Sequence, residues 1–196
     1  MRRPEGQEAP PRRPTLLALL AVALLAGSAD AEPPAIGSQV PDFQATSLQG
    51  DALSLREAAG QHKAVVLVFL STVCPYANYF AGHIREMAQS LGPRGVLFVG
   101  IYSNGWESGD QAAAHGREHG FAFPLVRDEG HLIADRLGAS RTPEALVVDS
   151  SGRLRYRGRV MSKQESPELR RALNAVLEGR RVRTPATKAF GCAIGG

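Results

Sequence analysis

The chain has only two cysteines, Cys74 and Cys192, among its 196 residues. That is too few for a disulfide-held scaffold, and it suits a single redox couple. No apolar run reaches the ~20 residues a membrane-spanning helix needs; Leu16 to Ala26 is the longest leader run and is too short. No internal repeat is present. The basic residues are not interleaved with aromatics and match no nucleic-acid module, so nucleic acid is not an expected partner. His115 and His119 stand four apart on an expected helix, a spacing metal ligands use, but no cysteine or carboxylate motif completes a metal site. A solvated helix face is the expectation for that pair, and no cofactor is expected.

The first residues read as a targeting segment. Arg2, Arg3, Arg12 and Arg13 form a basic region, LLALLAVALLA follows it, and Ala29-Asp30-Ala31 offers a small-x-small cleavage site. No cysteine follows the apolar run, so lipoprotein processing has no acceptor. The expected organisation is a signal peptide over 1–31, one domain over 32–179 and a tail over 180–196. Cleavage leaves 165 residues, enough for one domain with a full core. The expected location is periplasmic or secreted, with membrane contact only through an uncleaved leader.

Turn residues at Gln49-Gly50-Asp51 split 43–55 into a hairpin. Ala64–Leu70 is a continuous apolar run, the mark of a strand buried on both faces. Phe80, Ile84, Met87, Ala88 and Leu91 recur at helical spacing, predicting a helix over 75–91 that Gly92-Pro93 stops. Strands follow over 96–101, 121–126 and 145–148, with helices over 110–119 and 130–137. Residues 154–160 alternate as an edge strand, placing Arg153, Arg155, Arg157 and Arg159 on one solvated face. Ser166-Pro167 opens a last helix that runs to Glu178. Alternating strands and helices imply a sheet covered on both faces.

The chemistry concentrates where the strand over 64–70 meets the next helix. Cys74 falls at that helix N-terminus, with Pro75 suited to the first helical position. Unpaired N–H groups and the helix dipole favour a thiolate there, and a lowered pKa makes a cysteine nucleophilic. Tyr76 and Trp106 are candidates to line the mouth of the site. Cys192 lies in Ala189-Phe-Gly-Cys-Ala-Ile194, an apolar patch in a polar tail, which suggests docking on the domain. A second thiol delivered there would condense with a sulfenic acid at Cys74.

Four pieces, taken together in order, resemble the redoxin (alkyl hydroperoxide reductase/thiol-specific antioxidant) branch of the thioredoxin-like superfamily. They are Ile36-Gly-Ser-Gln-Val-Pro-Asp-Phe43, the strand into Cys74-Pro75, Phe123-Pro124-Leu125 with Asp128, and Arg141-Thr-Pro-Glu-Ala-Leu-Val-Val-Asp149. The resemblance implies an α/β thioredoxin-like fold: a central mixed sheet flanked by helices, an N-terminal hairpin extension and an irregular C-terminal tail. It also implies a cis peptide at Thr142-Pro143 beside the cysteine, where the Thr142 backbone pairs with an extended peptide substrate. The tail is similar to the Gly-Cys-x-Ile ending of some exported redoxins.

Two departures matter. Thioredoxin-like reductases carry a second cysteine three residues after the first, where this chain has Ala77. Peroxiredoxins place Ser or Thr three residues before the reactive cysteine, which Ser71 fits, but also a Pro where this chain has Leu67. Arg141 is the candidate for their catalytic arginine. Three readings follow. The first is a thiol oxidoreductase acting through Cys74 on protein thiols or disulfides, with Cys192 as partner and an envelope thiol reductant. The second is a peroxiredoxin-like peroxidase reducing hydroperoxides. The third is a non-catalytic binding module. They rank in that order.

Overall fold

Gln44–Thr46 (β1) and Ala52–Ser54 (β2) pair antiparallel, forming the expected hairpin, in a computed structural model that describes residues 32–162 and 166–195. The expected leader lies outside the described residues. A short helix, Leu55–Gln61 (α1), follows the hairpin and was not expected. Seven residues are too few to show a helical period. Local chemistry sets it instead: the Ser54 hydroxyl accepts from the Glu57 N–H, and Leu55, Ala58 and Ala59 are buried.

The core is a five-stranded sheet in the order β5-β4-β3-β7-β8. Its strands are β3 (Ala64–Leu70), β4 (Val96–Tyr102), β5 (Leu125–Arg127), β7 (Glu144–Asp149) and β8 (Leu154–Gly158). β3 is parallel to β4, β4 is parallel to β5, and β7 is antiparallel to both β3 and β8. Every residue of β3 is buried, as its continuous apolar run requires of a central strand covered on both faces. Val66, Val68 and Leu70 face one side with Phe80, Ile84 and Met87 of α2 (Pro75–Leu91) and Leu169 and Leu173 of α5 (Glu168–Leu177). Val65, Leu67 and Phe69 face the other, with α1 and with Ile133 and Leu137 of α4 (Leu132–Leu137). The remaining helix, α3 (Gly109–Glu118), begins with a capping box between Ser108 and Gln111.

Several boundaries differ from the sequence expectation. β5 starts at Leu125 and not at residue 121: Pro124 has no N–H for a ladder, and Phe121 and Phe123 stack on one another instead. α4 starts at Leu132, because Gly130 and His131 both take left-handed backbone angles that no α-helix continues through. Its N-terminus is capped from a distance by Asp128, whose carboxylate accepts from the Ile133 and Ala134 N–H groups at 2.9 Å each. α5 starts at Glu168, with Pro167 as its cap residue.

The arginine face of β8 is only partly solvated, which corrects the expectation of a free charged face. Arg155 pairs with Asp149 at 2.9 Å and Arg159 with Glu168 at 3.0 Å, while the Arg157 guanidinium donates to the Leu137 and Gly138 carbonyls. The tail is the reason this edge is covered. Arg157 N–H donates to the Pro185 carbonyl and Thr187 N–H to the Arg157 carbonyl, both at 2.9 Å. The segment 185–187 thus closes the open edge of β8.

Beyond residue 187 the tail is not wholly irregular. Cys192–Ala193 (β9) pairs antiparallel with Arg141–Thr142 (β6), which leads into β7, with Thr142 opposite Cys192. No helix among the described residues is long and apolar enough to cross a membrane.

Candidate active site

Cys74 closes the loop that leaves β3 and is the cap residue of α2, with Pro75 at the first helical position. Pro75 lacks an N–H that no helical carbonyl would have accepted, so it costs the helix nothing there. Asn78 N–H makes the first helical bond, to the Cys74 carbonyl at 3.0 Å. The Cys74 side chain is fully buried, and in the thiol form its S–H donates to the Thr142 carbonyl at 3.0 Å. The Thr142–Pro143 peptide is cis. Thr142 presents its carbonyl to Cys74 at the helix N-terminus and is paired with Cys192 of β9.

Cys192 stands beside Cys74, brought there by the β6–β9 pairing. Neither thiol is in a disulfide. Burial pushes the Cys74 thiol up, but the Cys192 and Thr142 side chains and the N–H groups of Ala77 and Cys192 favour its anion, and together they hold it below the ordinary thiol range. Cys192 is pushed the other way. Its S–H is held by hydrogen bonding to Cys74, with burial and the neighbouring negative charge adding to this and Arg141 opposing it. One proton on Cys192 thus serves two sulfurs, with Cys74 the readier anion.

The other anticipated residues are distributed unequally. Tyr76 packs edge-on against Phe190 of the tail, with ring centroids 5.3 Å apart, and remains 42% exposed. Trp106 is exposed and lies near Gly195. Ser71 does not hydrogen-bond to Cys74; its hydroxyl donates to Glu107 Oε1 at 2.8 Å. Arg141 is exposed and reaches the Gly191 carbonyl at 3.5 Å, so it addresses the tail. His115 is buried, contrary to the solvated face expected of it: its ring joins Tyr102 Oη at 2.7 Å and Asn78 Oδ1 at 2.8 Å. Burial, with His119 adding to it, drives its pKa down to about 4. Among the described residues no group of three or more His, Cys, Asp or Glu is placed to hold a metal.

The sequence reading missed Glu107, Asn104 and Asn78. Glu107 is 2% exposed, and its Oε1 accepts from the Ser71 hydroxyl and from both the N–H and the hydroxyl of Thr72. Asn104 Nδ2 donates to Glu107 Oε2 at 3.1 Å, and Asn104 Oδ1 accepts from the Gly195 N–H at 3.2 Å. One acidic side chain therefore fixes the loop that presents Cys74, and the amide beside it holds the tail. The available signal was positional: Glu107 follows the carboxyl end of a buried parallel strand, where α/β sheets build sites.

A thiol at a helix N-terminus beside a cis-proline strand, on this mixed sheet, defines a thioredoxin-like protein of the redoxin type. The family model for the AhpC/TSA family matches residues 36–157, and the chain belongs to that family. Among curated proteins it is similar to the thiol-disulfide oxidoreductase ResA of Halalkalibacterium halodurans, with 27% identity over 118 residues, 60% of this chain. The match spans 65% of that relative, just under two thirds of its length. Among solved structures it is similar to an uncharacterized conserved protein from Geobacillus kaustophilus, with a TM-score of 0.76 at 28% identity, covering 83% of this chain and 92% of that one. A hypothetical protein from Sinorhizobium meliloti 1021 has a TM-score of 0.75 at 26% identity, covering 84% and 96%.

Proposed function

We propose that this protein is a thiol–disulfide oxidoreductase in which Cys74 is the nucleophile and Cys192 the resolving thiol. The observation that carries this is the pairing of β9 with β6, which sets a second thiol beside the one at the α2 N-terminus. The Cys74 thiolate attacks one sulfur of a protein disulfide, breaks that S–S bond and releases the other sulfur as a thiolate. Cys192, having lost its proton, then attacks Cys74 Sγ and releases the second substrate thiol. Two electrons pass from the cysteine pair to the substrate, and an external dithiol in the cell envelope restores the pair. Run backwards, the same steps oxidise a protein dithiol. The name of the curated relatives supports this chemistry over the binding-module reading.

The peroxidase reading draws less support. The two groups it would enlist beside the thiol are turned elsewhere: Ser71 to Glu107, and Arg141 to the tail carbonyl of Gly191. Export rests on the leader, with cleavage after Ala31 into the periplasm or medium; N-terminal sequencing of the native protein is expected to begin at Glu32, and an intact Met1 overturns it.

The deciding experiment compares Cys74-dependent oxidation by a protein disulfide and by hydrogen peroxide in stopped flow. Fast reaction with the disulfide, slow reaction with peroxide, and a Cys74–Cys192 peptide pair in an unreduced digest are expected. Fast peroxide consumption selects the peroxidase instead, and exchange that survives Cys74→Ser refutes the assignment.

A further inference from the structure

Cys74 is fully buried, yet it must meet a second sulfur from outside. The tail lies over it. Phe190 packs on Tyr76 and Phe80, and Ile194 N–H donates to the Ser140 carbonyl at 3.1 Å. Gly105 N–H donates to the Gly195 carbonyl at 3.0 Å. Between these anchors, β9 takes up the backbone of Arg141–Thr142 and so occupies the strand edge next to the thiol.

We propose that residues Phe190–Ile194 are an internal copy of the substrate. The partners are then extended, cysteine-bearing segments with an aromatic side chain two residues before the cysteine and glycine directly before it. They pair antiparallel with Arg141–Thr142 by adding a strand, after the tail has left. This deepens the exchange chemistry above and rests on it.

Three features of the docked tail define the class. The register sets the tail cysteine opposite Thr142, which brings its sulfur to Cys74. Gly191 has a φ of 137°, and a Cβ there would meet the Thr142 carbonyl oxygen at 2.0 Å, so no side chain fits directly before the cysteine. Phe190 makes edge contacts with Tyr76 and Phe80 at 5.3 and 6.1 Å, an aromatic seat two residues before it. Tyr76 at this seat and Tyr79, which packs on Phe80, are exposed, as are Val73 directly before Cys74 and Trp106 beside Gly195, apolar surface a longer polypeptide would extend onto.

Tail and substrate cannot hold the same edge together, which orders the reaction. The tail opens, the substrate pairs with β6, and Cys74 forms the mixed disulfide, releasing one substrate thiolate. The tail then returns, displaces the substrate backbone from Thr142 and delivers Cys192 to Cys74 Sγ, releasing the second thiol. The stretch at 185–187 stays paired to β8 throughout, where Thr187 Oγ1 also meets Tyr156 Oη at 2.8 Å. Only a short tether then joins Cys192 to the domain, and its effective concentration stays high.

The test uses the full chain as Cys192→Ser, with and without Gly191→Val to hold the tail off. The probes are the peptides Ala-Phe-Gly-Cys-Ala-Ile and Ala-Phe-Val-Cys-Ala-Ile, each as a mixed disulfide with 2-thiopyridine. Attack by Cys74 releases the thiopyridine, read by absorbance; 4,4′-dithiodipyridine is the small-disulfide control. The Phe-Gly-Cys peptide is expected to react at least tenfold faster than the Phe-Val-Cys peptide with either chain, and at least tenfold faster with the tail held off. Equal peptide rates alongside a reactive control overturn the substrate copy and leave the exchange chemistry standing. A Cys74 inert to all three overturns both. If Gly191→Val does not fold, the peptide preference read on Cys192→Ser alone decides.

Discussion

At the scale of single residues, the two neighbouring thiols share a proton unequally. A thiolate at Cys74 accepts from Cys192, and holding that proton keeps Cys192 neutral at a pH where Cys74 is charged. The thiolate fraction of Cys74 rises as pH passes its folded pKa, which lies below the ordinary thiol value. Alkylation by iodoacetamide, followed by mass spectrometry of each cysteine peptide, is therefore expected to show an earlier midpoint for Cys74 than for Cys192. Cys192→Ala removes a donor to the anion, so the Cys74 midpoint moves up. Cys74→Ala removes both the acceptor and the charge, so the Cys192 midpoint moves down. Equal midpoints in the native protein count against the arrangement. Glu107 acts one step further out, through the Ser71–Thr72 backbone and hydroxyls. Glu107→Ala strands buried donors in that loop and is expected to cost about 2–3 kcal/mol in urea unfolding, whereas Glu107→Gln, which keeps an acceptor, costs less.

At the scale of elements, α3 is tied to the site by His115, which bridges Tyr102 of β4 and Asn78 of α2. Asn78 in turn donates to the Thr72 carbonyl at 3.2 Å. The groups facing His115 are Tyr102, Asn78, His119 and Phe121, with Glu107 and Glu118 acting at longer range. The folded state keeps this ring neutral. Below the ordinary 6.5, the unfolded chain takes up a proton that the folded chain refuses until about pH 4. Stability is thus fully present above 6.5 and falls as pH drops toward 4, by about 3 kcal/mol over the window. Urea midpoints from pH 7.5 to 4 are expected to fall less steeply in His115→Gln; parallel slopes mean that other groups carry the acid sensitivity.

The same elements show what a sequence carries. β3 and α2 were legible to the residue, because a fully apolar run and a 3.6-residue period are unambiguous over seven and seventeen residues. α1, the start of α4 and the strand at Cys192–Ala193 were not. Their causes are a side-chain cap, two left-handed residues and a pairing between segments fifty or more positions apart, none of which leaves a period. The position of Cys74 at a helix N-terminus follows from local order. Glu107 meets Thr72 only through the fold, and the burial of His115 depends on Tyr102 and Asn78 arriving from other elements.

At the scale of the whole molecule, the two thiols lie 118 residues apart in sequence and together in space. A bond between them closes a loop around most of the domain. In the chain-entropy account, a crosslink over that length removes about 4–5 kcal/mol of freedom from the unfolded chain. The folded state loses little, since β9 is already paired to β6, and Phe190 and Ile194 already pack against the two faces of the core. The oxidised protein is therefore expected to unfold at a distinctly higher urea concentration than the reduced one, with the difference abolished in Cys192→Ser. By the same linkage, whatever the bond adds to the stability of the fold the fold returns as resistance of the bond to reduction. Midpoints that coincide in the two redox states would mean that the tail must be distorted to close the bond, and that Cys192 resolves the mixed disulfide from a position other than the docked one.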